Sequence, residues 1–175
     1  MTKQRKLKNM INAFAVIIQN YPDAILDIYG DGDDRKNLEE YVNKYKLSDH
    51  IKFKGLVSRP ELLSSLYNYD IGFSYIPEGL HDPAPALKTL EYLACGLPVV
   101  ATDTSGNRLS VKDGYNGVLS TDSPQDYASA FIRLVQSEWY MDAVSNSVKS
   151  VLEYDWEAIV RKNLLPIYEK MMSNE

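Results

Sequence analysis

A single carboxylate interrupts the apolar side of one predicted helix. The pattern over 86–95 predicts a helix, and at roughly 100° per residue Glu91 lies inside an otherwise apolar arc of about 140°. The other members of that arc are Leu87, Leu90, Ala94 and Cys95. A carboxylate in such a place is costly unless it is paired or accepts hydrogen bonds. Two interpretations stay open: Glu91 forms a structural ion pair, for example with Lys88, or its two oxygens accept hydrogen bonds from adjacent sugar hydroxyls.

The beginning of the same helix is suited to an anion. The helix follows a proline-rich loop over 77–85. Its first N–H groups, near Ala86 and Leu87, have no partner inside the helix and lie at the positive end of the helix dipole. A phosphate held there and a ribose held one turn later by Glu91 would together be a nucleotide.

The elements that must position these residues alternate between two periodicities. Apolar residues at helical spacing predict helices over 6–20, around 38–45, and over 59–68, 86–95, 124–137, 140–152 and 156–172. Short β-rich runs predict strands at 24–29, 51–54, 70–76, 99–101 and 117–119. Strands separated by helices predict an α/β domain with a mostly parallel sheet, in which ligands bind beyond the carboxyl ends of the strands. Function should therefore be sought in the loops at 30–34, 55–59, 76–86 and 102–107.

The amino-acid composition argues against several classes of protein function. The chain has 175 residues, a net charge of −5, one cysteine and two histidines. The length suits a single domain over 1–175, and the acidic balance argues against nucleic-acid binding through bulk charge. The cysteine and histidine counts exclude a disulfide framework and predict no metal site. No run approaches the ~20 apolar residues of a membrane span and no signal-peptide pattern opens the chain, so we expect a cytoplasmic location.

The block at 86–102 resembles the signature of the nucleotide-binding half of two-domain GT-B glycosyltransferases of family 4, also known as glycosyl transferases group 1. The block contains Lys88-Thr89-Leu90-Glu91-Tyr92 and continues through Gly96-Leu97-Pro98 into a strand. Further segments are similar to family landmarks in the family's order: 12–14, 29–32, 53–57, 113–119 and 155–157. The resemblance covers essentially the whole chain. It implies a Rossmann-like donor-binding domain, the C-terminal half of such an enzyme.

The resemblance also implies roles for individual residues. Glu91 corresponds to the second glutamate of the family's Glu-x7-Glu pattern, which holds the ribose hydroxyls of the donor. The helix start would hold the diphosphate, the segment after the second strand would contact the nucleobase, and a basic residue before the first helix would neutralise the diphosphate in place of a metal. The residues assigned to the donor site, besides Glu91, are Gly32, Leu56, Val57, Ala86, Leu87, Lys88 and either Arg5 or Lys6. Arg5 and Lys6 are equally explained as the solvated beginning of a surface helix.

One departure from the family pattern concerns the donor sugar. The first glutamate of the Glu-x7-Glu pattern would lie at position 83, which is Pro83. Contacts to the sugar must then come from elsewhere in 78–84, where His81 and Asp82 are the candidates. His81 is equally explained as an exposed loop residue without a role.

A second departure concerns the sheet. In the family, a strand ending in glycine precedes the first helix and lies centrally, whereas this chain begins at that helix. We therefore expect the first strand and the acceptor-binding N-terminal domain to be absent from this chain. The strands at 24–30 and 70–76 would then keep open edges, and self-association through those edges is expected.

These features predict the donor-binding domain of a glycosyltransferase that uses a nucleotide-diphosphate sugar, with retention and without a metal. The acceptor is expected to be a glycan or a lipid-linked molecule, and peripheral membrane association is compatible with this prediction. Two alternatives stay open: half of a nucleotide-sugar 2-epimerase, or a non-catalytic nucleotide-sugar binding module. Because the family's catalytic groups are shared between two domains, the isolated chain is expected to be inactive in sugar transfer.

Overall fold

The computed structural model describes residues 1–79 and 86–173. The helices in these ranges are α1 (Leu7–Ile17), α2 (Arg35–Lys44), α3 (Arg59–Leu66), α4 (Leu87–Ala94), α5 (Ser105–Arg108), α6 (Pro124–Val135), α7 (Tyr140–Val151), α8 (Trp156–Ile159) and α9 (Leu165–Met172). The strands are β1 (Leu26–Tyr29), β2 (Ile51–Gly55), β3 (Gly72–Ser74), β4 (Val99–Thr102) and β5 (Gly117–Ser120). The predicted alternation of strands and helices is confirmed.

The described strands form two parallel sheets. β1 pairs with β2, and β3, β4 and β5 pair in that order. In the first sheet Leu26 lies opposite Ile51, and in the second Val99 lies opposite both Gly72 and Gly117. The predicted parallel α/β architecture is confirmed, with strand carboxyl ends at one edge of each sheet.

Local sequence sets where several helices begin and end. The Ser58 hydroxyl accepts the N–H of Glu61 at 3.3 Å, and Ser123 caps α6 in the same way, so both predicted caps are confirmed. The predicted helical stretch over 156–172 is confirmed, but it is not a regular α-helix throughout. A π turn over 160–164 separates α8 from α9, since Pro166 in the first turn of α9 has no N–H with which to continue the helix.

Apolar side chains cover both faces of β4. Val100 belongs to a core cluster that contains residues of α1 and α6, whereas Val99 and Ala101 pack with Leu93 of α4 on the other face. Helix α1 packs against α6. The first cluster also contains Ile28 of β1, so a single core beneath α1 connects the two sheets.

A cleft with a volume of about 970 Å³ lies between β1 and β3. All four residues of β1 line it, and so do Gly72 and Phe73 of β3. As expected, these two strands do not pair with each other. Every helix within the described ranges is too short or too polar to cross a membrane.

Candidate functional site

One end of the cleft brings together three charged side chains from two parts of the chain. Arg5 precedes α1, while Lys88 and Glu91 lie on α4, and all three line the cleft. Tyr29 and Tyr75, which line it as well, mark the carboxyl ends of β1 and β3. This is the position at which open α/β sheets bind ligands.

Glu91 forms an ion pair with an exposed side chain. Its Oε1 lies 3.2 Å from Nη2 of Arg59, and the Arg59 side chain is 76% exposed while that of Glu91 is 25% exposed. The ion-pair partner is thus Arg59 rather than Lys88. Exposed ion pairs of this kind contribute about 0–1 kcal/mol, so a ligand that hydrogen-bonds Glu91 can displace Arg59 at little cost.

Lys88 is a cation held in a partly buried place. Its ammonium donates a hydrogen bond to the backbone carbonyl of Tyr75 at 3.2 Å. Burial and, to a smaller extent, the positive charge of Arg5 together lower the pKa of Lys88 to about 8. Within 1–79 and 86–173, neither Lys88 nor Arg5 forms an ion pair. Two neighbouring cations that form no ion pair with any described carboxylate favour an anionic ligand.

The beginning of α4 has backbone N–H groups without a partner inside the helix, next to Lys88. Ala86 is the N-cap residue, its backbone is extended, and its side chain forms no capping hydrogen bond. The N–H of Thr89 bonds to the Ala86 carbonyl at 2.8 Å, which leaves the N–H groups before it without a partner in the helix. A phosphate at this end would meet the positive pole of α4.

A buried polar network beneath α4 fixes the helix on the sheet. The hydroxyls of Thr89 and Ser74 lie 2.7 Å apart, and Ser74 donates to Oδ1 of Asn107 at 2.9 Å. The Asn107 amide donates to the carbonyls of Thr102 and Ser74 at 2.8 and 3.2 Å. Sequence analysis missed this network, although Asn107 lies in the loop 102–107 that follows a strand.

Gly32 positions the chain terminus at the site. The terminal amine of Met1 donates a hydrogen bond to the backbone carbonyl of Asp31. The Met1 carbonyl accepts a hydrogen bond from the N–H of Asp34 at 3.1 Å. Gly32 has φ +152°, and a Cβ there would overlap the backbone of Met1. A side chain at position 32 would therefore push Met1 off the carboxyl end of β1.

The remaining predicted residues are placed less centrally. Arg5 lines the cleft, whereas Lys6 is exposed at the beginning of α1 and is not among the lining residues. Leu56 is exposed and Val57 half-buried, and neither lines the cleft in the described chain. Their roles, and those of Ala86, Leu87 and Gly32, stay predictions. The predicted sugar contacts His81 and Asp82, and Pro83 at the first glutamate position of the family pattern, lie outside the described residues.

A comparison with known families decides the classification. Residues 1–151 match the family model described as glycosyl transferases group 1. The chain belongs to the glycosyl transferases group 1 family. The resemblance of the block at 86–102 to the donor-binding half of these enzymes is therefore confirmed at the level of the family, and the cleft with its cations and Glu91 lies within the matched region.

Relatives of this group 1 domain support the same assignment. It is 28% identical over 141 residues to the GtfA subunit of a UDP-N-acetylglucosamine–peptide N-acetylglucosaminyltransferase from Streptococcus agalactiae; the match covers 77% of the chain but only 26% of the relative. Among solved structures, pneumococcal O-GlcNAc transferase GtfA in complex with UDP and GlcNAc has a TM-score of 0.81 at 23% identity, covering 96% of this chain and 34% of that one.

A third similar protein shows which part of such enzymes the group 1 domain corresponds to. The C-terminal domain of a glycosyl transferase group 1 family protein, LpcC from Francisella tularensis, has a TM-score of 0.74 at 24% identity. The match covers 89% of this chain and 83% of that domain. The predicted fold, the C-terminal Rossmann-like domain of a GT-B glycosyltransferase, is confirmed.

Proposed function

We propose that this domain binds the ribose and diphosphate of a nucleotide-diphosphate sugar at the charged end of the cleft. The observation that carries the proposal is the arrangement on α4. Lys88 lines the cleft and, with the backbone at the start of α4, would hold the diphosphate, while Glu91 lines the cleft one turn further along the same helix. Arg5, which precedes α1 and also lines the cleft, adds a second positive charge near Lys88.

The chemistry of each group matches its part of the ligand. A ribose offers two adjacent hydroxyls, and the two oxygens of Glu91 can accept both in exchange for Arg59. Lys88, Arg5 and the N–H groups of α4 stabilise the negative charge that a leaving nucleoside diphosphate develops when the sugar is transferred. Positive side chains do here what Mg²⁺ does in other transferases, so transfer is proposed to be metal-independent.

The complete reaction is proposed to be sugar transfer with retention to an acceptor held by a second domain. Relatives in the family are named for the transfer of sugars, and one was solved with UDP, which makes UDP the first nucleotide to test. The family match favours the transferase over the epimerase. Residues 1–175 alone are expected to bind the nucleotide and to transfer no sugar, because the proposed reaction needs a second domain to exclude water and to orient an acceptor.

The proposal is tested by calorimetric titration of the chain with UDP and with uridine. Glu91→Gln keeps the shape of the side chain and weakens it as an acceptor, so both ligands should lose affinity roughly 10- to 100-fold. The matched control is Glu39→Gln, which removes an exposed carboxylate that pairs with Arg35 on α2 at 2.8 Å. The control variant should bind both ligands as the wild type does.

Unchanged UDP affinity in a folded Glu91→Gln variant would overturn the assignment of Glu91. The same titration repeated in EDTA tests metal independence. If EDTA abolished UDP binding, the diphosphate would need a metal, and the cations of the cleft would not be sufficient for it.

A further inference from the structure

The segment over 75–78, which follows β3, contains the backbone carbonyl that holds Lys88. β3 ends at Ser74, whereas the ladder between β4 and β5 continues to Thr102. The Tyr75 carbonyl accepts a hydrogen bond from the Lys88 ammonium at 3.2 Å, and no other acceptor among the described residues bonds to this side chain. The direction of the Tyr75 carbonyl therefore determines where the ammonium lies in the cleft.

The peptide unit that joins Tyr75 to Ile76 forms hydrogen bonds on both sides. Its C=O accepts from Lys88, which lines the cleft, and its N–H, which belongs to Ile76, donates to Oγ1 of Thr102 at 2.9 Å. A trans peptide unit is planar, and its C=O and N–H point in opposite directions. Because the unit turns as one body, the Thr102 hydroxyl fixes the direction of the Tyr75 carbonyl.

Thr102 is itself firmly fixed in the protein. It is 1% exposed and lies on β4, the strand between β3 and β5. Its hydroxyl donates to the Ser74 carbonyl at 3.4 Å, and its own carbonyl accepts the Asn107 amide at 2.8 Å. A β-branched side chain also has few rotamers. The bond to Ile76 thus connects the buried network beneath α4 with the charged end of the cleft.

The position of a lysine ammonium strongly affects how well it binds an anion. The lysine stem is flexible, and ordering such a side chain during binding costs affinity. An ammonium has three N–H donors, so Lys88 can keep its bond to Tyr75 and donate the other two to a ligand. A Lys88 that is held in advance therefore binds an anion without paying this ordering cost again.

We propose that Thr102 is a positioning residue of the donor site: its hydroxyl, acting through the Tyr75–Ile76 peptide unit, holds the Lys88 ammonium in place for the diphosphate. This role rests on the proposed function, in which Lys88 binds the diphosphate. Thr102 is not among the described residues that line the cleft, so it acts through other groups. The role requires a hydroxyl, because valine has the same shape but no acceptor for the Ile76 N–H.

The first test compares three variants in calorimetric titrations with UDP and with uridine. Thr102→Val should lower UDP affinity roughly 3- to 10-fold and leave uridine affinity unchanged. Thr102→Ser keeps the hydroxyl and should restore the affinity of the wild type. The matched control is Thr104→Val, which removes another buried hydroxyl, one that accepts the Asn107 N–H at 3.2 Å. This control should bind UDP as the wild type does.

A double-mutant cycle separates positioning of Lys88 from a general loss of structure. In a Lys88→Met background there is no ammonium to position, so Thr102→Val should change UDP affinity by less than roughly twofold. An equal loss of UDP affinity in both backgrounds would overturn the proposal. Unchanged UDP affinity in a folded Thr102→Val variant, with Lys88→Met still weakening UDP, would overturn it too.

A measurement without a nucleotide distinguishes failure of this proposal from failure of the proposed function. At about pH 6, well below the Lys88 pKa of about 8, NMR follows the exchange of the ammonium protons with water. This exchange should be at least roughly threefold faster in Thr102→Val than in the wild type, and Thr102→Ser should restore it. If exchange responds in this way but Lys88→Met leaves UDP affinity unchanged, the proposed function fails and the link between Thr102 and Lys88 stands.

The wild type alone keeps the proposal falsifiable if Thr102→Val does not fold. Lys6 is exposed and provides the reference for a freely exchanging ammonium. Exchange at Lys88 that is as fast as exchange at Lys6 would show that the Tyr75 carbonyl does not hold the ammonium, and the proposal would be wrong.

Discussion

The two polar surfaces of α4 differ in the interaction partners of their side chains. On one surface Thr89 is buried, and it bonds with Ser74 and Asn107 inside the protein. On the other surface Glu91 is held by an exposed arginine and Lys88 by a single backbone carbonyl. One short helix therefore carries a closed network on one side and an open set of charges on the other.

This difference distinguishes residues that stabilise the fold from residues that can bind a ligand. Buried polar groups whose partners all lie inside the protein make a unique, rigid arrangement and have nothing left for a ligand. Charged groups with weak or exchangeable partners contribute little to the stability of the fold. Such groups can form stronger interactions with a ligand than with the rest of the protein. The closed side should thus respond to mutation through stability, and the open side through binding.

The largest effect is expected from removing a side chain of the buried network beneath α4. Asn107→Ala leaves the Thr102 and Ser74 carbonyls and the Ser74 hydroxyl short of a partner, so the free energy of unfolding should fall by about 3 kcal/mol. Denaturant titration measures the loss. Asn37→Ala is the control, because the exposed Asn37 amide donates a hydrogen bond to Asp34 at the beginning of α2. Its loss should lower the free energy of unfolding by less than about 1 kcal/mol. Equal losses in the two variants would contradict the distinction.

Charge reversal on the open side should act on binding instead. Arg5→Glu places a negative charge beside the proposed diphosphate, and UDP affinity should fall roughly 10- to 100-fold while uridine affinity changes little. Lys6→Glu makes the same charge change one residue away, outside the lining of the cleft, and serves as the control. An equal loss for UDP and uridine in Arg5→Glu would indicate a folding defect rather than a lost phosphate contact.

The pH dependence of UDP binding should report the protonation of Lys88. Its pKa is about 8 in the free domain, so UDP affinity should fall by up to about tenfold between roughly pH 7 and 9, as the cation is lost. Lys88→Arg should remove this fall, because arginine stays protonated. A wild-type affinity that stays constant over this range would exclude Lys88 from the phosphate site.

Protonation of Lys88, which favours UDP binding, should lower the free energy of unfolding. The lowered pKa means that the unfolded chain, with lysine near 10.5, holds the proton more tightly than the folded domain. Lys88 therefore destabilises the fold below its folded pKa, and its contribution to the free energy of unfolding rises as pH increases from about 8 towards 10.5. Titration of stability in Lys88→Met should lack this rise.

The smallest effect is expected from removing the exchangeable partner of Glu91. Arg59→Ala should change the free energy of unfolding by less than about 0.5 kcal/mol, because the pair is largely exposed. Uridine affinity should rise by about twofold, since ribose no longer displaces Arg59. A loss of stability above roughly 2 kcal/mol would instead make Glu91 a structural carboxylate and erase the contrast between the two sides of α4.

Sequence reasoning was sufficient where the cause is local. The caps at Ser58 and Ser123, the strand of Val99 and the α4 helix follow from residues within one or two turns of each other. The unusual position of Glu91 was visible for the same reason, because a helical wheel needs only the helix itself. The open edges of β1 and β3 were also foreseen, through the family resemblance.

What sequence reasoning missed depends on contacts between distant segments. Arg59 and Glu91 lie far apart along the chain, and nothing in either segment selects the other. Asn107 bonds to Ser74, thirty-three positions away, so its role is decided by the pairing of β3 with β4. The Lys88 contact with Tyr75 requires an open strand edge, which is a property of the sheet and not of the helix that carries the lysine.

The packing of α1 against α6 determines when the domain can fold during its synthesis. These helices occupy Leu7–Ile17 and Pro124–Val135, and Tyr21 just after α1 meets Phe131 edge to face at 5.5 Å. At about 5–20 residues per second, the apolar side of α1 waits on the order of ten seconds after its own synthesis for its partner. Until α6 leaves the ribosome, α1 is an unprotected amphipathic segment, and the core that connects the two sheets cannot close before α6 has been synthesised.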